Sequence, residues 1–254
     1  SNAPICEGSD LLLNASSAPG STYAWTGPNG FTSAVQNPTI TAATLAATGT
    51  YIVTAMLGTC TGTASIAVTV KPVPVITATK TDPTACGSST GSIIISGLVT
   101  GNSYTVSYVK NSGSPSVVNN VIAVAPGQIT ISNLSAGTYS NIFVTLNGCT
   151  SNIAGPVTLS DPNPPATPTA FNNGPICSGN TLLLTTSAVA NATYSWTGPN
   201  GFVNAAQNPT IPNATIAASG TYSLTVTVAG CTSAAATTVA TVNPTPITPT
   251  VTSN

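Results

Sequence analysis

The chain has 254 residues, a formal net charge of −1 and no histidine, with 3% charged residues against 41% apolar ones. Soluble domains usually carry about 25% charged residues, so the seven present here (Glu7, Asp10, Lys71, Lys80, Asp82, Lys110 and Asp161) exclude both a basic nucleic-acid footprint and an acidic calcium cage. No apolar run approaches the ~20 residues of a membrane-spanning helix, and without histidine there is no Ser–His or Cys–His base for catalysis.

Strand and turn signals alternate from the first residues on, and helical periodicity is absent. Leu11-Leu12-Leu13 opens one strand and Tyr23-Ala24-Trp25 another. Gly27-Pro28-Asn29-Gly30 then makes a tight turn, because Pro sets φ and Asn-Gly accepts positive φ. Asn37-Pro38-Thr39-Ile40 reads as an edge strand opened by proline. Tyr51, Val53, Ala55 and Leu57 mark a strand with one buried face. In the middle of the chain, strands are expected over 92–95, 103–109, 117–124, 129–133, 138–146 and 156–159.

The last third nearly repeats the first. Ala3 to Thr61 aligns with Gly174 to Thr232 without a gap at an offset of 171, with roughly 33 of 59 positions identical. The longest run, Trp25 to Phe31, recurs as Trp196 to Phe202. Each copy is longer than a solenoid repeat and is expected to be a complete small domain. The proline-rich stretches Lys71-Pro72-Val73-Pro74, Asp161-Pro162-Asn163-Pro164-Pro165 and Asn243-Pro244-Thr245-Pro246 read as short, semi-rigid connectors. The expected organisation is three β-sandwiches, 1–72, 73–163 and 164–246, with 247–254 as a linker to a next repeat. Thr248 to Asn254 lines up with Thr167 to Asn173, the entry to the last domain. In that register the chain reads as one period, of about 252 residues, of a tandem array. Ser1-Asn2-Ala3 reads either as native or as a tag scar.

Six cysteines allow fifteen pairings. The equivalence of the two copies, with one pair per module, favours Cys6–Cys60, Cys86–Cys149 and Cys177–Cys231. Metal binding has no His, no CxxC and no carboxylate cluster to support it. Disulfides of this span would each contribute on the order of 4 kcal/mol and place the chain outside a reducing cytosol. The melting temperature is then expected to fall with a reductant and to ignore chelators. No cofactor is implied.

The order Cys-x-Gly, Tyr-x-Trp-Thr-Gly-Pro-Asn-Gly-Phe, Gln-Asn-Pro, Gly-Thr-Tyr and Cys-Thr in both flanking domains resembles the Ig-like repeat of giant secreted surface proteins from Bacteroidetes. The middle stretch resembles the repeat of gliding-motility adhesins from that phylum, through Thr81-Asp82-Pro83-Thr84-Ala85-Cys86-Gly87, Gly91-Ser92-Ile93, Leu134-Ser135-Ala136-Gly137-Thr138-Tyr139 and Asn147-Gly148-Cys149. It has Ser103-Tyr104-Thr105-Val106-Ser107-Tyr108 where that repeat commonly carries an aromatic centre. In antibody domains the conserved Tyr lies two residues before the second Cys, whereas Tyr51 and Tyr222 lie nine before Cys60 and Cys231. The bridge is therefore expected to pin the amino-terminal segment to the turn between the last two strands.

The resemblance implies an all-β chain of three tandem Ig-like sandwiches, extracellular or on the cell surface. Its expected role is a stiff, non-enzymatic stalk of an adhesin or surface filament. Low charge leaves little repulsion between copies and few charged gatekeepers on the strand edges, so other copies of the chain are the expected partners, end to end or laterally. Alternative readings are a glycan- or ice-binding module, or an accessory region of a secreted polysaccharide-degrading enzyme. For glycan contact the candidate aromatics are Phe31, Phe202, Trp25 and Trp196, with both Trp more naturally core residues. Asn14-Ala15-Ser16, Asn133-Leu134-Ser135, Asn191-Ala192-Thr193 and Asn213-Ala214-Thr215 match the N-glycan acceptor pattern. Glu7 and Asp10 are the only nearby carboxylates; with Ser178 and Thr181 at the matching positions, they read as a solvated turn.

Overall fold

The computed structural model describes residues 1–16 and 19–251. The end of the expected linker, 252–254, lies outside the described residues. Strands dominate, and among the described residues the only helical turns are four short 3-10 segments, Pro28–Gly30, Leu45–Ala47, Pro199–Gly201 and Ile216–Ala218. The fold is all-β and Ig-like. Among the described residues, no helix is long and apolar enough to cross a membrane.

Chain contacts divide the protein into two compact units. The first comprises Ser1–Lys80, Ile93–Ile131 and Gly137–Thr158; the second comprises Thr81–Ser92, Ser132–Ala136 and Leu159–Asn254.

In the first unit, the first copy builds a four-stranded sheet in the order Thr32–Ser33, Thr22–Thr26, Gly49–Leu57, Cys60–Val68. Leu11–Leu12 pairs with Thr39–Ile40, and Ile5–Cys6 runs parallel to Val70–Lys71. The alternation of Tyr51 and Val53 with exposed Ile52 puts one side of Gly49–Leu57 into a core with Leu11, Leu13, Trp25, Val68 and Val70. The middle stretch forms a sheet of Pro115–Ile122, Ser103–Lys110, Gly137–Leu146 and Cys149–Thr150, to which Val157–Leu159 adds. A second sheet there orders Gln128–Leu134, Gly91–Ser96 and Thr77–Thr81. These bounds fall within a few residues of the expected strands, because Gly and Asn-Gly pairs punctuate each run.

In the second unit, the last copy repeats the plan. Its sheet orders Phe202–Asn204, Thr193–Gly198, Gly220–Val228 and Cys231–Thr232, with Ala236–Ala240 also pairing to Gly220–Val228. Leu182, Leu184, Trp196, Tyr222, Leu224 and Val226 fill the core.

One difference separates the copies. The strand Cys60–Val68 is unbroken, pairs along all of Gly49–Leu57, and is exposed at every residue except Val68. Its counterpart is interrupted after Thr232 by the buried Ser233, whose Oγ accepts the Val226 N–H at 3.1 Å. Ser151 does the same for Val144 at 3.0 Å. The first copy has Gly62 at that place, which offers no hydroxyl, so the ladder continues through Ala55↔Gly62. In the last copy Phe171–Asn172 also pairs with Leu182–Thr185 as an edge strand.

Candidate functional site

The repeated Trp-Thr-Gly-Pro-Asn-Gly-Phe run builds the same small structure twice. After Trp25 the chain turns through Pro28–Gly30, where Asn29 adopts φ 53°, and the Gly27 N–H donates to the Phe31 carbonyl at 3.0 Å. Asn200 does likewise at φ 54°. The first glycine of each turn has a reason the sequence does not show: a Cβ on Gly27 or Gly198 would run into the ring of Tyr51 or Tyr222. Phe31 stands edge-on to Tyr51 and Phe202 to Tyr222, each with ring centroids 5.5 Å apart.

Trp25 and Trp196 are 3% and 0% exposed, and each indole N–H donates to a backbone carbonyl, of Gln36 and Gln207 respectively, at 3.2 Å. Neither presents a face to a ligand, which corrects their place among candidate contact aromatics. An indole this apolar is driven into the core, and its N–H finds its partner there. Phe31 and Phe202 are half-buried at the rims of two equivalent clefts of about 280 and 310 Å³. Ala43, Ile40 and Tyr51 line the first and Ala214, Ile211 and Tyr222 the second. Neither lining holds a charged side chain. Of the two carboxylates, Asp10 accepts the Ala42 N–H at 2.9 Å and so ties together two segments 32 residues apart in sequence.

The Tyr51 hydroxyl donates to the Ala47 carbonyl at 2.9 Å, and that of Tyr222 to Ala218 at 2.8 Å. This is the tyrosine corner of Ig sandwiches. Two residues on, where antibody domains carry their second core cysteine, stand Val53 and Leu224, buried in their respective cores. Burial raises the pKa of both tyrosines above the ordinary 10.0. The folded state thus holds these protons more tightly than the unfolded chain. Stability is fully present below pH 10 and declines as pH rises beyond it. A melting temperature that stays level from pH 10 to 12 would contradict this.

The cysteines pair differently from the sequence expectation. Cys6 bonds Cys149 and Cys86 bonds Cys231, with Cα–Cα distances of 5.6 and 5.0 Å, while Cys60 and Cys177 are free and exposed. The pairs Cys6–Cys60, Cys86–Cys149 and Cys177–Cys231 are therefore corrected. Cys6 sits beside Lys71, near the Gly49 end of Gly49–Leu57, whereas Cys60 lies opposite Leu57 at the other end. Nine extended residues separate those ends by about 27 Å, far beyond the ~7 Å limit on Cα separation in a disulfide. Cys177 and Cys231 sit in the same relation along Gly220–Val228.

Three cysteines close identical hairpins: Cys60 opposite Leu57, Cys149 opposite Leu146 and Cys231 opposite Val228. The other three are Cys6, Cys86 and Cys177, of which Cys6 and Cys177 lie on the equivalent strands Ile5–Cys6 and Ile176–Cys177. Backbone and side-chain bonds surround each bridge. Lys71 Nζ donates to the Asn147 carbonyl at 2.8 Å beside the first, and the Cys86 N–H donates to the Ala229 carbonyl at 3.0 Å beside the second.

With this geometry the chain is an Ig-like, disulfide-bridged β-protein. Residues 1–74 match the family described as Ig-like domain, CHU_C-associated, in keeping with the Bacteroidetes-type Ig-like repeat. Among solved structures, an I-band fragment of titin is 13% identical with a TM-score of 0.41, covering 95% of each chain. The ectodomain of mouse nectin-like molecule 4 is 14% identical with a TM-score of 0.40, covering 97% of this chain and 98% of that one. Sidekick-1 immunoglobulin domains 1–5 are 17% identical with a TM-score of 0.36; the alignment covers 95% of this chain and 57% of that one. No curated protein matches in sequence.

Proposed function

We propose that the chain is a structural segment of an extracellular, repetitive adhesin or surface filament: three Ig-like sandwiches, stapled by disulfides into a stalk that associates with other copies of itself. The middle stretch is read as an adhesin-type repeat, on the motifs it shares with that family. The observation that carries the stalk reading is the pairing of the bridges. Each joins a leading segment to a hairpin 143 or 145 residues further along, so the two covalent loops overlap. Under tension the shortest covalent path from end to end is roughly 90 residues, against 254 for the open chain. The shortest covalent route is thus drawn taut at roughly a third of the open chain's length.

Stretching single molecules tests this. Oxidised protein is expected to stop extending at about 300 Å, and reduced protein at about 850 Å, from ~3.4 Å per extended residue. A molecule that unravels to full length without reductant would make a poor stalk, and the reading would fall.

A further inference from the structure

The strand Cys60–Val68 is the last member of its four-stranded sheet, and among the described residues none pairs with its far side. A two-residue turn, Gly58-Thr59, joins it to Gly49–Leu57, so Leu57 and Cys60 exchange both main-chain bonds. Every second residue from Cys60 then bonds the neighbouring strand. Thr61, Thr63, Ser65 and Ala67 lie between them and turn their N–H and C=O groups outward.

Proteins protect such edges with charge, proline, a bulge or shortness. This edge has none of these. No charged residue occurs between Asp10 and Lys71, and no proline between Pro38 and Pro72. The register against Gly49–Leu57 runs without a shift over all nine residues. The matching edges elsewhere are cut short. Ser151 and Ser233, bonded to Val144 and Val226, stop the strands Cys149–Thr150 and Cys231–Thr232 after two residues each.

The edge itself specifies its occupant. A row of outward main-chain donors and acceptors is satisfied by another extended strand, and an uncharged strand does not repel its own copy. With a two-fold axis at Ala64, two copies set Thr61 opposite Ala67 and Thr63 opposite Ser65. All the outward groups are then paired, in about eight main-chain bonds. Moving the axis to Thr63 or Ser65 leaves one outward residue of each strand unpaired. The uncharged edge Ala236–Ala240 of the last copy is a poorer partner: it has five residues, and Asn172 Nδ2 already donates to its Val239 carbonyl at 3.0 Å.

We propose that Cys60–Val68 is a homodimer interface, pairing antiparallel with the same strand of a second copy of this chain. This rests on the self-association in the stalk reading and names its site: two copies joined laterally through one continuous sheet. The contact is isologous, so each copy uses the same surface. The opposite edge of the sheet is Thr32–Ser33, two residues long. An edge that short gives no template for a further strand, so the pairing closes at two copies.

The test uses the full-length chain with Cys60→Ser and Cys177→Ser, which removes both free thiols. In sedimentation equilibrium at about 0.1 mM it is expected to show twice the 24.9 kDa monomer mass. Adding Thr63→Lys with Ser65→Lys sets like charges opposite each other across the joint. The dissociation constant is expected to rise about tenfold, with the melting temperature unchanged because both residues are exposed. Single cysteines on the same background fix the register. Ala64→Cys is expected to cross-link under mild oxidation, because the two Cα atoms facing each other at the axis are about 4.5 Å apart. Thr61→Cys and Ala67→Cys are expected to stay uncross-linked, since each lies about 20 Å from its own counterpart. A monomer mass at 0.1 mM, or equal cross-linking at all three positions, would overturn the proposal. Neither result changes how far a single molecule extends, so the stalk reading stands or falls separately.

Discussion

Replacing both Cys86 and Cys231 by serine is expected to lower stability by about 5 kcal/mol, the loop-closure entropy of a bridge spanning 145 residues. In a thermal scan this corresponds to a fall on the order of 10–20 °C. The comparison that gives the result its meaning is Cys60→Ser. Cys60 is exposed and unbonded, so its replacement should change stability by no more than about 0.5 kcal/mol. If instead Cys60→Ser were as costly as the double replacement, bridging within each module would be restored and the pairing described above would be wrong.

Trp196→Ala is expected to cost about 3–5 kcal/mol. The side chain is fully buried among Leu182, Leu184, Tyr222 and Leu224. Its removal leaves a cavity and takes the indole donor away from the Gln207 carbonyl. Denaturant unfolding followed by far-UV circular dichroism measures the loss. A cost below about 1 kcal/mol would mean the indole is not a core element. The chain has two tryptophans, so the fluorescence lost in this variant also reports the last copy separately from the first.

Much of the fold is legible in local pattern. Tyr51 and Val53 on one face of their strand, and Tyr222, Leu224 and Val226 on theirs, declare the buried side because side chains alternate along a strand. Gly-Pro-Asn-Gly declares its turn through the φ preferences of Pro and Asn. The strands of the middle stretch were readable for the same reason, since glycine and asparagine interrupt each apolar run.

The reason for Gly27 and Gly198 was not readable. What requires glycine there is the ring of a tyrosine 24 residues away. Nor was the difference between the two copies. Roughly 33 of 59 aligned positions are identical, yet the edge ladder is unbroken in one copy and interrupted in the other. The serine that breaks the last copy's ladder is a glycine in the first.

The amino-acid sequence by itself determined that this is a duplicated, all-β, disulfide-forming protein, because composition, period-two alternation and cysteine count act through local chemistry. Which cysteines meet was decided by tertiary structure alone. Equivalence of the copies pointed to pairs within each module, but in both flanking copies a nine-residue strand stands between those partners. A disulfide forms only where two Cβ atoms converge, and that convergence depends on which distant segments the tertiary structure brings together.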